Sequence, residues 1–244
     1  MKLRGLTLGI LPRVAGVVTG NVDGRTVKKA LASGADILEL RVDTFRDRDP
    51  QRIKEAIKKL SARGIPLILT VRSKKEGGRN DLKDAERLAL FSALTPAVHA
   101  VDIELGSGRI LKDVVACARR HRKKVIVSYH DFRSTPGTKA LSEKVRRARA
   151  AGADMVKVAT LARGQDDLKR LAGLLVDSDD LIVIAMGGYG VASRIFFPIL
   201  GSLLTYGSIM DTTVDKTMRA TTASTAPGQL PVSTIKKELK VFGF

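Results

Sequence analysis

The stretch ADILELRVD, residues 35–43, alternates apolar and charged side chains along most of its length. Leu38 and Leu40 are apolar, whereas Glu39 and Arg41 carry charge. Successive side chains of a β-strand point to opposite faces of the sheet, so this segment predicts a strand with one apolar face and one ionic face. Such a strand can pack its apolar face against a layer of helices while its ionic face borders a polar interior.

The same alternation recurs in three later segments, LILTVR (67–72), VDIEL (101–105) and VIVSYH (125–130). The polar side chains fall on every second position of each segment: Thr70 and Arg72, Asp102 and Glu104, Ser128 and His130. The polar set therefore lies on one face of every strand. Four strands with a common polar face indicate one sheet that encloses a polar space.

Charged stretches with helical periodicity separate these strands along the chain. The sequence predicts eight strands, at residues 14–19, 35–42, 66–72, 99–105, 125–131, 153–160, 181–186 and 202–206. Repeated βα units of this kind predict a parallel sheet. We expect an α/β fold, a (β/α)8 TIM barrel with eight parallel strands and outer helices, as a single domain over residues 1–244. An open doubly wound sheet is the alternative.

Lys157 stands in the segment ADMVKVAT, residues 153–160, which otherwise has the pattern of a buried strand. Lysine is almost never fully buried without a partner or a purpose. In a barrel, Lys157 would share the interior with His130, which ends the preceding strand. Burial and positive charge from Arg41 and Arg72 would favour the free amine, whereas Glu39 and Glu104 would oppose this effect. The free amine attacks ketones to form an imine. Histidine is suited to moving the protons that such chemistry requires.

The chain has 244 residues, a formal net charge of +18 and one cysteine, Cys117. A single cysteine forms no internal disulfide, which fits a reducing compartment. No run of about 18 apolar residues is present, so we expect a cytoplasmic protein without a membrane span. The charge surplus would suit a nucleic-acid-binding domain, but no aromatic stacking motif accompanies it. An anionic small substrate would also be attracted to this charge.

Eight motifs span nearly the whole chain: ELRVD, TVRSKKEGG, VDIEL, SYHDF followed by TP, ADMVKVA, AMGGYGVASR, GSLLTYGS and APGQ. In order and spacing they resemble the type I 3-dehydroquinate dehydratases. The resemblance implies a (β/α)8 barrel that removes water from 3-dehydroquinate, a small anionic substrate, to give 3-dehydroshikimate in the shikimate pathway. It implies syn elimination through a lysine imine, no metal or other cofactor, no specific nucleic acid partner and a homodimer.

The resemblance also implies a role for each matched residue. Lys157 would form the imine with the substrate ketone, His130 would transfer protons, and Glu76 would orient the histidine. Substrate contacts are implied for seven further residues: Glu39, Arg41, Arg72, Arg194, Gln229, Met186 and Tyr206. Of these, Arg194 would pair with the substrate carboxylate, a task for which the planar guanidinium fork is suited.

A lid that closes over the ligand is predicted at residues 209–231, and Gln229 belongs to it. Exclusion of water during the elimination favours such a loop. Within it, IMDTTVDKTMRATT (209–222) is longer than the corresponding loop of most family members. The alternative within the enzyme class is an aldolase, which would use the same lysine imine and would bind a phosphate after the last two strands.

Overall fold

The computed structural model of the chain describes residues 1–20, 22–176, 178–209 and 228–244. These residues form a barrel of eight parallel strands with helices outside it, which confirms the predicted (β/α)8 fold. The strands are β1 (Val14–Val18), β2 (Ile37–Arg41), β3 (Leu67–Thr70), β4 (Ala100–Glu104), β5 (Lys124–Asp131), β6 (Met155–Leu161), β7 (Leu181–Met186) and β8 (Thr205–Ser208).

From β1 to β7 each strand pairs in parallel with the next one along the chain, and β8 pairs in parallel with β1. β7 contacts the segment that leads into β8. There the backbone N–H of Leu203 donates to the carbonyl of Leu181 at 2.9 Å. The N–H of Val183 donates to Ser202 Oγ at 3.0 Å. These bonds complete the circle of strands, so the open sheet, the structural alternative, is not what forms.

The outer helices are α1 (Gly24–Ala32), α2 (Pro50–Ser61), α3 (Asp84–Leu94), α4 (Arg109–Arg120), α5 (Thr138–Ala150), α6 (Gln165–Gly173), α7 (Gly190–Ile199) and α8 (Val232–Val241). Basic residues occupy several last turns, for example Arg119 and Arg120 in α4. Positive charge there complements the negative end of the helix dipole. Part of the charge surplus therefore lies on the outer layer. None of the helices in the described ranges has the length and apolar character that a bilayer crossing needs.

The barrel has an apolar core on each side of its wall. Leu38, Leu40 and other residues of that parity pack between the strands and the helices. Residues of the opposite parity at the amino ends of the strands, such as Ile37 and Ile68, form the floor of the interior. Polar side chains such as Glu39 follow on the same inner face. The alternation seen in the sequence therefore separates the helix-facing core from the interior, as predicted.

A short hairpin, which the sequence did not predict, lies at the amino end of the chain. Lys2–Leu3 pairs antiparallel with Leu6–Thr7. The two turn residues, Arg4 and Gly5, have φ values of 47° and 81°, as a two-residue hairpin turn requires. Leu3 and a neighbouring leucine, Leu8, pack into the floor of the interior. Strands of two residues are too short for periodicity to reveal them.

Predicted strand bounds agree best where the strand is apolar throughout. β7 begins and ends at the predicted residues, Leu181 and Met186. The last strand, predicted at 202–206, lies instead at Thr205–Ser208, because Ser202 and Leu203 bond to β7 before the ladder with β1 begins. The alternation of apolar and polar residues does not show whether a residue bonds to β7 or to β1.

Gly207 in β8 provides a test of how tightly α8 packs on the barrel. A Cβ atom at this position would lie 2.9 Å from the backbone nitrogen of Val232, where α8 begins. We expect Gly207→Ala to lower the free energy of unfolding by about 1–3 kcal/mol, because α8 must shift. Urea denaturation would measure this, with Gly173→Ala as control, since no atom lies within 4 Å of a Cβ there. Equal stabilities of the two variants would contradict this packing.

Candidate active site

A cavity lies at the carboxyl ends of the strands, with about 480 Å³ of empty space when its opening to solvent is included. Active sites of barrels of this class occupy that end. The structure brings all ten residues singled out from the sequence to its wall: Glu39, Arg41, Arg72, Glu76, His130, Lys157, Met186, Arg194, Tyr206 and Gln229. Five further residues complete the lining: Val17, Gly77, Phe132, Ala159 and Ile184.

Lys157 projects from β6 into this cavity and is only 5% exposed. Its Nζ lies 3.2 Å from Asp102 Oδ2 and 3.8 Å from Glu39 Oε1. The ring of Tyr206 faces it, with the ring centroid 4.0 Å from Nζ. Two carboxylates and an aromatic face all favour a cation at this position. The lysine is therefore held at the cavity wall with its amino end facing negative charge.

The sequence predicts that positive charge from Arg41 and Arg72 acts near the lysine, and the structure shows that both arginines are paired with carboxylates. Arg41 forms two 2.8 Å bonds with Asp43. Arg72 pairs with Asp102 at 3.0 Å and with Glu104 at 3.1 Å. Both guanidinium charges are thus compensated, because an uncompensated buried charge is costly. The ionic contacts of Nζ itself are carboxylate oxygens.

His130 and Glu76 form a hydrogen-bonded pair at the cavity. Glu76 Oε2 lies 3.0 Å from His130 Nδ1 and also accepts the backbone N–H of His130 at 2.9 Å. Burial, with Arg72 and Lys157 nearby, lowers the pKa of His130 well below its ordinary value. The imidazole is therefore neutral at physiological pH. Since Nδ1 is engaged with Glu76, Nε2 is the ring nitrogen available to exchange a proton with a ligand.

Burial raises the pKa of Glu76 to about 7, against the opposing influence of Arg72. The segment that carries it is a single 3-10 turn, Lys74–Glu76, which ends at Gly77. Gly77 has a φ of 87°, and a Cβ on it would lie 2.5 Å from the ring of Phe132. A Cβ on Gly78 would meet the carbonyl oxygen of Arg72 at 2.4 Å. The glycine pair after Glu76 therefore lets this loop fold tightly against the strand ends.

Arg194, from α7, is 1% exposed and has no carboxylate partner among the described residues. Its guanidinium donates to the backbone carbonyls of Gly190 at 2.8 Å and of Tyr206 at 3.3 Å. Burial lowers its pKa to about 10, so it remains cationic at neutral pH. A buried cation that faces a cavity without a counter-ion is suited to an anionic ligand.

Tyr206 and Gln229 lie on the side of the cavity formed by β8 and the residues after it. The hydroxyl of Tyr206 is buried and has no hydrogen-bond partner in the described part of the chain. Gln229 lines the cavity and follows Gly228, where a Cβ would lie 2.4 Å from the carbonyl oxygen of Gly187. The close approach of Gly228 to Gly187 thus seats Gln229 at the mouth. Most of the predicted lid, residues 210–227, lies outside the described residues.

The sequence did not single out Asp102 as part of the site, yet Asp102 links its main cations. It accepts from Lys157 and Arg72, and Ser128 Oγ donates to its other oxygen at 2.7 Å. The cations Arg72 and Lys157 hold the pKa of Asp102 below its ordinary value despite burial. Its place two residues before Glu104, on the same face of β4, was the available signal. Among the described residues no cluster of side chains suits a metal ion.

Comparisons with known proteins agree with this geometry. The family model described as type I 3-dehydroquinase matches residues 19–243. The 3-dehydroquinate dehydratase of Methanosarcina barkeri is 37% identical over 223 residues, which cover 88% of each chain. That of Aquifex aeolicus is 36% identical over 217 residues, which cover 88% of this chain and 92% of the relative.

Solved structures give the same result. The 3-dehydroquinate dehydratase of Geobacillus kaustophilus superposes with a TM-score of 0.87 at 28% identity, over 100% of this chain and 96% of that one. The type I 3-dehydroquinate dehydratase of Clostridium difficile, solved with covalently modified comenic acid, gives 0.84 at 27% identity, over 99% and 96%. These matches favour a dehydratase over the aldolase alternative. The chain belongs to the type I 3-dehydroquinate dehydratase family.

Proposed function

We propose that this chain dehydrates 3-dehydroquinate to 3-dehydroshikimate through an imine between Lys157 and the substrate ketone, with syn elimination of water. One observation carries the proposal: a buried lysine amine shares a cavity with a hydrogen-bonded His–Glu pair and with an arginine that no carboxylate of the described residues pairs with. The amine supplies a nucleophile, the imidazole supplies a base, and the arginine supplies a site for a carboxylate.

Imine formation begins when the uncharged amine of Lys157 adds to the ketone carbon. Nitrogen keeps one of its two hydrogens; the other hydrogen, with one proton drawn from solvent and delivered by the histidine, leaves with the carbonyl oxygen as water, so a protonated imine remains. The proton transfers require a group that takes and returns protons, and neutral His130 fits that role. Asp102 and Glu39, which face Nζ, stabilise the positive charge of the protonated imine as they do that of the ammonium.

Elimination follows because the protonated imine withdraws electrons from the adjacent carbon. A base removes the proton from that carbon, the electron pair moves toward the imine nitrogen, and the neighbouring hydroxyl leaves with a proton as water. Hydrolysis of the imine then releases the enone and the free lysine. His130 is the proposed base and acid, and ionised Glu76 stabilises the imidazolium that forms in between.

The rest of the cavity suits the substrate's polar groups. Arg194 is the proposed partner of the carboxylate, since it is buried and its other contacts are backbone carbonyls. Glu39, Arg41 and Arg72 are the proposed contacts of the hydroxyl groups and carboxylate. The hydroxyl of Tyr206, which has no hydrogen-bond partner within the described ranges, is a further donor that a polyhydroxy ligand could satisfy. The covalently modified ligand in the Clostridium difficile relative supports a covalent route in this family.

Other expectations from the sequence stay predictions. We propose that residues 1–244 form one domain, that residues 209–231 act as a lid over Gln229, and that the protein is a cytoplasmic homodimer. Met186, which lines the cavity, is the proposed apolar wall on β7.

Reductive trapping tests the imine directly. Borohydride added with 3-dehydroquinate should leave a permanent mass increase on Lys157, found by peptide mapping, because reduction converts the imine to a stable amine. Lys157→Met, close in length but without the amine, should show no adduct and no rise in enone absorbance while retaining its circular dichroism. An adduct on another residue, or near-normal turnover of Lys157→Met, would refute the proposed mechanism.

The Glu76–His130 pair predicts the acidic limb of the pH profile. Because the pKa of Glu76 is raised to about 7, the carboxylate is lost as the pH falls through 7, and with it the support for an imidazolium. We expect kcat/KM to fall below about pH 7 and Glu76→Gln to lose this limb while reducing the rate at pH 8 roughly 10- to 100-fold. A limb that persists unchanged in Glu76→Gln would assign it to another group.

Arg194 should control substrate affinity rather than imine chemistry. We expect Arg194→Met to raise KM roughly 100-fold and Arg194→Lys roughly tenfold, since lysine keeps the charge but loses the fork. Steady-state kinetics would measure both, and borohydride trapping at saturating substrate should still label Lys157. An unchanged KM in the two folded variants would show that the carboxylate binds elsewhere.

A further inference from the structure

Arg87 lies on α3, in the outer helix layer, yet it is only 1% exposed. Its Nε donates to the carbonyl of Val71 at 2.9 Å, at the end of β3. Its Nη1 donates to Asp84 at 3.0 Å, on the solvent side. Its Nη2 donates to Glu104 and, at 3.2 Å, to Ser107 Oγ. The side chain therefore crosses from the helix layer to the polar interior of the barrel without lining the cavity.

Glu104, the inner partner of Arg87, is a junction of hydrogen bonds. Its Oε1 accepts from Arg72 Nη1 at 3.1 Å and from the backbone N–H of Ser73 at 2.9 Å. Its Oε2 accepts from Arg87 and from Ser107 Oγ, the latter at 2.5 Å. Four donors thus fix both oxygens of one buried carboxylate.

Each bond to Oε1 leads to one half of the proposed catalytic machinery. Arg72 continues to Asp102, which pairs with Lys157. Ser73 begins the loop whose 3-10 turn carries Glu76, the partner of the histidine. Glu104 is therefore connected through hydrogen bonds both to Lys157 and to the loop that carries Glu76.

Arg87 also completes the charge balance of this interior. Among the buried residues described, the connected path joins three basic side chains, Arg87, Arg72 and Lys157, to three acidic ones, Glu104, Asp102 and Glu39, while exposed Asp84 contacts Arg87 from the solvent side. Removal of Arg87 leaves one buried carboxylate charge without compensation. A buried unpaired ion is strongly unfavourable, so Arg72 would be drawn toward Glu104 and away from Asp102.

We propose that Arg87 is a positioning residue of the active site: by neutralising Glu104, it fixes Arg72 beneath Lys157 and the Ser73–Glu76 loop beside His130. The inference rests on the roles proposed above for the lysine and the histidine. Arg87 does not line the cavity, so it acts through the groups that it holds, above all Glu104.

A merely structural ion pair would affect stability and leave the titration of Glu76 unchanged. The titratable and charged groups near Glu76 are His130, Arg72, Glu104 and Asp102. Burial is the main cause of its raised pKa, and the two carboxylates add to this effect. An uncompensated Glu104 should raise that pKa further. The pKa of Glu76 therefore reports whether the charge of Glu104 is compensated.

The experiment measures the side-chain carboxyl resonances of ¹³C-labelled glutamate in the free enzyme against pH, with the Glu76 signal assigned by its loss in Glu76→Gln. In Arg87→Met we expect the Glu76 midpoint to rise by roughly half a unit to one unit. We expect the acidic limb of kcat/KM to move by the same amount. We also expect kcat to fall roughly tenfold or more while KM changes less than about threefold.

Two variants serve as controls. Arg87→Lys keeps the charge and should leave the Glu76 midpoint within about 0.2 units of the parent value. Asp84, the solvent-side partner of Arg87, has a side chain that is 62% exposed. Asp84→Asn should therefore change neither the titration of Glu76 nor the turnover. In Arg87→Met, an unmoved midpoint together with a normal kcat would overturn the proposal.

A double variant keeps the proposal testable if Arg87→Met does not fold. If Arg87→Met unfolds, an added Glu104→Gln change, which removes the unpaired charge, should restore the fold and part of the turnover. Unfolding that persists in the double variant would contradict a role through Glu104. Because the NMR readout uses the free enzyme, it gives its answer even if the trapping experiment disproves the imine.

Discussion

The pairing of Arg72 with both Asp102 and Glu104 is the interaction on which this barrel depends. The interior above the apolar floor is filled with ionisable groups that are almost fully removed from water. Each isolated ion in such surroundings would cost several kcal/mol. Arg72 compensates two carboxylates at once, and those carboxylates in turn hold Lys157 and the loop of Glu76. The catalytic geometry is therefore a consequence of how the interior satisfies its charges.

This arrangement suits a reaction whose intermediates are cations. In the proposed reaction the nitrogen of Lys157 becomes part of a protonated imine, and the carboxylates of Asp102 and Glu39 face that nitrogen. Fixed partners of this kind need little reorganisation when the chemistry occurs. His130 differs from the lysine, because burial lowers its pKa and keeps the imidazole neutral, as its proposed role as a base requires. One cavity thus stabilises a cation at one wall and a neutral base at another.

Much of this could be predicted from the sequence, because strand periodicity determines which side chains face inward. Glu39, Arg72, His130 and Lys157 were placed together by parity alone, and the family resemblance supplied their proposed roles. The partners inside the barrel were harder to predict. Asp102 had the right parity, but only coordinates show which of several carboxylates reaches Nζ.

Arg87 was beyond the reach of sequence patterns. On a helix in the outer layer an arginine is ordinarily solvated, and periodicity does not show that this one points inward. The amino-terminal hairpin was missed for a different reason, since its strands have two residues each. Tertiary packing decides such positions, and local pattern carries little information about them.

That hairpin has a consequence for how molecules pass through the enzyme. Leu3 and Leu8 fill the amino end of the described barrel, so ligands can enter and leave only at the carboxyl ends of the strands. The product must leave by the same opening through which the substrate entered, and the two cannot occupy the cavity together. Accumulated product should therefore inhibit competitively with respect to substrate, and each catalytic cycle must include product release before the next substrate binds.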